Sequence, residues 1–183
     1  MKYLRLFSVG VLAACAAVAQ TGVATEWDVR TLVRALDTQE QHLRPLLDQI
    51  KPDTWISKGA PQTYLAQWKS TEAELRYLLQ TSQALSQQPE KLPLALDTYF
   101  RMESLDAMLG SLVEGIRNYQ SPQVAASVQA VVNETSGNRD KLRDYIRELA
   151  KQKDTEFQIA DREAQRCRAA LLRQPANHQG KSK

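Results

Sequence analysis

His42 and His178 are the only two histidines in this 183-residue sequence, and that scarcity limits the chemistry it can carry. A zinc site built on paired histidines has no material here, and no CxxCH run supports a covalently held haem. Serine or cysteine nucleophiles would both have to rely on His42, and no GxSxG turn or glycine-rich phosphate loop occurs. Carboxylates are the remaining chemical groups. Glu40, Glu72 and Glu103 fall near apolar stripes, so they could converge, where they would repel, take up protons or hold a cation. The diiron pattern also needs Glu-x-x-His on two helices, and the sequence has no such pair. Half-exposed boundary positions cost these glutamates much less than burial. Met102 and Met108 suit a core or its edge. No catalytic residue, cofactor or metal ligand is therefore assigned.

Two aromatic and basic features point to binding instead. Trp55 stands among polar residues between Lys51 and Ala60, where it can cover one end of a core or serve as a ligand platform. Arg166, Arg168 and Arg173 accompany Ala169, Ala170, Leu171 and Leu172, a combination that suits an acidic partner or anionic lipid. The same charges also suit the C-terminus of an ordinary helix. Aromatic and basic residues do not interleave as they do in single-strand nucleic-acid grooves, so no nucleic-acid partner is expected.

The first residues address the chain. Lys2 and Arg5 precede an apolar stretch from Leu6 to Ala14, the length of a signal-peptide core and short of the ~20 apolar residues a membrane span needs. Ala17-Val18-Ala19 before Gln20 is a small-x-small cleavage site, giving a signal peptide over 1–19. Leu12-Ala13-Ala14-Cys15 resembles the lipobox of bacterial lipoproteins, a resemblance confined to the first fifteen residues. It implies a leader of 1–14, a lipidated Cys15 and, with Ala16 following, anchoring at the outer membrane. Both routes export the body to the periplasm. Cys167 is then the one other cysteine, read as a packing residue in a monomer or as the link of a disulfide-bonded dimer.

Lys2 and Arg5 also account for much of the formal charge of +3. Without them basic and acidic residues nearly balance. The balance is uneven along the chain: residues 20–138 have an acidic excess, residues 139–183 a basic one, and nothing acidic follows Glu163.

Four stripes with helical spacing must position these groups. The first runs from Thr25 or Glu26 to Ile50 and contains Pro45, which predicts a kink near Gln41. After a loop over 51–60, a second begins at Pro61 and ends before Pro89. A third runs from Leu92 to Tyr119 with Gly110 and Gly115 inside it, which the close approach of a neighbouring helix would explain. The last covers Pro122 to Arg173, capped by Ser121, with a soft spot at Ser136-Gly137-Asn138. Beyond Ile146 its apolar face thins to Ala150, Phe157, Ala160, Ala164, Cys167 and Leu171, interrupted by Lys153.

No period-two alternation suggests a strand. The expected fold is all-α: an antiparallel bundle of four main helices over 26–173, the last long or broken near Gly137 and able to project. A flexible lead (20–25) and a disordered tail (174–183) flank it. The expected function is that of a non-enzymatic exported protein holding a protein or envelope partner by its helix surfaces. The alternatives are a small-molecule or metal-binding periplasmic sensor bundle and a histidine-independent enzyme.

Overall fold

The computed structural model describes residues 26–173; the leader, Cys15, the 20–25 lead and the 174–183 tail lie outside them. Among the described residues the protein is all-helical. Helices α1 (Glu26–Gln49), α2 (Pro52–Ile56), α3 (Thr63–Gln87), α4 (Leu92–Tyr119) and α5 (Pro122–Arg173) follow in order. None is long and apolar enough to cross a membrane.

The apolar stripes become a bundle core. Leu36, Leu43 and Leu47 of α1, with Ile50 just beyond its end, meet Leu75, Leu78 and Leu85 of α3. Met102, Leu105, Leu109, Leu112 and Ile116 come from α4, and Val128, Val131, Leu142, Tyr145 and Leu149 from α5. Helix α4 packs against α3 and α5, and α1 packs against the same two. Polar links cross these seams. The Trp68 indole donates to the Leu47 carbonyl (3.1 Å), Gln67 to the Ser111 hydroxyl (2.9 Å), and Gln39 to the Val131 carbonyl (3.2 Å). Buried hydroxyls bond back to their own helix: Thr71 to the Gln67 carbonyl and Thr98 to the Leu94 carbonyl. A polar residue thereby sits in the core without an unmet donor.

The stretch over 51–60 is not a plain loop. Pro52 starts the five-residue α2, which suits proline because a first-turn N–H has no helical partner. Gly59, at φ 90°, then reverses the chain, a conformation that costs a side chain but not glycine. The second main helix starts at Thr63 rather than Pro61.

Helix α5 is single and continuous. Its first turn is capped by the Ser121 hydroxyl, 3.4 Å from the Val124 N–H. At the soft spot, Gly137 is exposed with nothing within 4 Å of a would-be Cβ, so only the glycine penalty of about 1 kcal/mol opposes the helix there. Leu149 is its last buried residue. From residue 150 to residue 173 every position but the half-exposed Lys153 is exposed. That arm spans about 36 Å at about 1.5 Å per residue.

Candidate functional site

Chemically distinct side chains come together at the closed end of the bundle, in a polar cluster at its waist, in a hollow between α1 and α3, and along the arm.

At the closed end Trp55 is completely buried. Its ring stacks near Tyr119 (centroids 6.4 Å) and meets Tyr64 edge-on (5.6 Å). Its indole N–H donates to the Gln120 side-chain oxygen at 3.0 Å. The same oxygen accepts the Lys51 N–H (3.0 Å), and the Gln120 amide donates to the Gln49 carbonyl (2.9 Å). One side chain thus ties the end of α1, the body of α2 and the α4–α5 turn. Trp55 has no accessible face for a ligand in this arrangement; it closes the core. Gly115 lets it do so, because a Cβ there would lie 2.7 Å from Tyr64 and 2.9 Å from Trp55. Burial first, and then the Glu114 carboxylate, push the Tyr64 phenol above its ordinary value. Gly110, by contrast, has no neighbour within 4 Å, so close approach explains only one of the two glycines.

At the waist, Arg139 of α5 meets two carboxylates of α4: Asp106 at 2.5 Å and Glu103 at 3.1 Å. The Thr135 hydroxyl is 3.3 Å from the other Asp106 oxygen. Burial still raises Asp106 above the usual carboxylate range; the arginine opposes the shift without cancelling it. Beside Asp106 lies a cavity of ≈ 20 Å³, lined mainly by leucines with Gln39 and Thr135 at its polar corner. That is room for about one water molecule.

Glu72 and Glu103 do not converge on that cavity. Glu72 lines a hollow of ≈ 200 Å³ between α1 and α3 with Arg44, Asp48 and Arg76, while Glu103 stays with Arg139. Glu40 lies in α1, and its side chain is outside what the structure describes. Among the described residues no three His, Cys, Asp or Glu side chains gather as metal ligands. His42 is exposed on α1, Met102 is buried in the core, and Met108 is half-buried.

The arm carries the remaining sequence-marked residues. Arg166, Arg168, Arg173 and Cys167 are all exposed. Arg166 pairs with Glu163 at 2.9 Å and Lys153 with Glu156 at 2.9 Å; the second contact holds the Glu156 carboxyl below its usual range. Phe157 is 70% exposed, Leu171 67% and Leu172 87%. Cys167 does not pack, contrary to expectation, because the body has ended before the helix reaches it. Gln120 and the Asp106–Arg139 pair were not legible beforehand, since each joins residues far apart in sequence. Searches against family models, curated proteins and solved structures find no match to this chain.

Proposed function

We propose that this chain is a non-enzymatic, exported helical-bundle protein whose C-terminal arm docks on a protein or envelope surface of acidic or anionic character. Its four long helices stack antiparallel, each neighbour running against the last, and act as a rigid base. The seam contacts support this arrangement. Glu74 faces Arg101 and Gln67 faces Ser111 across α3 and α4; Asp106 of α4 faces Arg139 of α5, and the Tyr145 hydroxyl of α5 donates to the carbonyl of Pro89, in the turn that precedes α4. In each seam a later residue meets an earlier partner.

The observation that carries the functional reading is the arm itself. A helix that leaves its body still fully formed, with exposed Phe157, Leu171 and Leu172 and with Arg166, Arg168 and Arg173 near its tip, maintains apolar and cationic surface that the bundle does not use. Surface of this composition favours an interaction partner. Export brings it to the envelope, with the chain either cleaved before Gln20 or held by lipid on Cys15; the intact mass of native protein separates the two.

The test is flotation with vesicles of phosphatidylglycerol and phosphatidylethanolamine, alongside capture on an acidic protein surface at 20 and at 300 mM salt. Changing Arg166, Arg168 and Arg173 together to Gln should weaken binding at low salt far more than at high salt. Truncation after Ala150 should abolish it while leaving the helical circular dichroism of the bundle. Undiminished binding by both variants would overturn the reading.

A further inference from the structure

We infer that the hollow between α1 and α3 is a binding site for a small zwitterion, a free α-amino acid with an aliphatic side chain. The inference stands apart from the reading of the arm. The hollow measures ≈ 200 Å³ and is lined by Arg44, Leu47, Asp48, Glu72, Leu75 and Arg76. Sites for drug-sized ligands run from about 300 to 1,000 Å³. This one has the room of roughly six or seven waters at about 30 Å³ each, which is the scale of a single amino acid.

The course of the two helices separates the charges. Helix α1 runs toward the closed end, where Gln120 holds the Gln49 carbonyl. Helix α3 runs away from it, starting with Tyr64 against Trp55. Asp48 follows Arg44 in α1, and Glu72 precedes Arg76 in α3. On both walls, therefore, the acid lies one turn nearer the closed end than the arginine, about 6 Å along each axis. The Trp68 indole, bonded to the Leu47 carbonyl at 3.1 Å, ties the walls together. The hollow is thus weighted with carboxylate toward one end and with guanidinium toward the other, and the buried Leu47 and Leu75 add its apolar lining.

That polarity selects the ligand. A simple anion would face Asp48 and Glu72 as well as the arginines, and a metal cation would face two guanidiniums. An amino acid carries its ammonium and its carboxylate on one carbon and meets neither conflict. Its ammonium donates to the acidic end, and its carboxylate accepts the forked N–H groups of the arginines. Its side chain lies on Leu47 and Leu75, away from water. The protein's own charges are open to such a ligand. Glu72 and Arg76 stand in the order that favours a pair one turn apart, yet among the described residues neither makes an ion pair, and the Asp48 carboxylate makes none. Two positions from Glu72, by contrast, Glu74 is held by Arg101 at 3.2 Å.

Titration of the purified protein with L-leucine to about 10 mM, followed through amide chemical shifts, tests the assignment. The expected result is a saturable shift confined to residues around 44–48 and 72–76. Leucinamide, which lacks the carboxylate, and N-acetylleucine, which lacks the ammonium, should each bind about tenfold more weakly or worse. Asp48→Asn and Arg76→Gln should each weaken leucine by about the same factor. Both positions are exposed, so helix content should not change. The triple arginine variant of the arm should bind leucine as the parent does, which separates this site from the arm. Absence of a saturable shift, equal binding of either blocked form, or parental affinity in either hollow variant overturns the inference.

Discussion

Gly115 and Gly110 are five positions apart in one helix, yet the structure assigns them opposite costs. A methyl at 115 would drive into two aromatic rings that are themselves packed at the closed end, so Gly115→Ala should destabilise by about 1–3 kcal/mol. At 110 a methyl meets nothing, and Gly110→Ala should gain up to about 1 kcal/mol of helix propensity. Urea midpoints of the two variants should move in opposite directions. Asp106 adds a pH signature. Its folded-state value is raised above the ordinary 3.8. Between those two values the folded chain holds a proton the unfolded chain has lost, so stability falls as pH rises through that window. Asp106→Asn should remove this component of the slope. Urea unfolding of both proteins at a series of pH values measures it, and parallel pH profiles would show that Asp106 contributes none of it.

Single elements differ in how plainly the sequence announces them. The four long helices were visible because three- and four-residue spacing recurs over six or more turns, too long a pattern for chance. Helix α2 was invisible: five residues contain little more than one turn, so no period can be counted, and Pro52 looks like a terminator as readily as a start. Of the two forms open to the last helix, long or broken near Gly137, the unbroken one is found, because that residue faces solvent and no tertiary contact rewards a bend. The fate of α5 beyond Leu149 was half legible. Thinning of the stripe to alanines foretold weak attachment, while the point of departure depended on how far the other helices reach. Its two parts should separate in amide hydrogen exchange at sub-micromolar concentration. Residues 122–149 should approach global protection, and residues 150–173 should exchange roughly a hundredfold faster or more. Equal protection of both halves would make the arm part of the body.

For the molecule as a whole, one apolar core joins all four long helices, so damage at its centre should be felt everywhere at once. Leu109, 2% exposed, is the appropriate probe: Leu109→Ala should cost about 2–5 kcal/mol. With Trp27 and Trp68 replaced by Phe, fluorescence of Trp55 and far-ultraviolet circular dichroism should lose structure in one shared transition, whereas separated transitions would mean that the closed end folds on its own. The uninterrupted run of α5 out of this core has a mechanical consequence. Body and arm share one hydrogen-bonded rod with no hinge, so the bundle cannot shift α5 without moving the tip. A tilt of about 5° where the rod leaves the body swings its end by about 3 Å, given a lever of about 36 Å. In the other direction, a load on the tip is delivered as torque at Leu149, Tyr145 and Leu142, the last three rungs by which the core grips the rod.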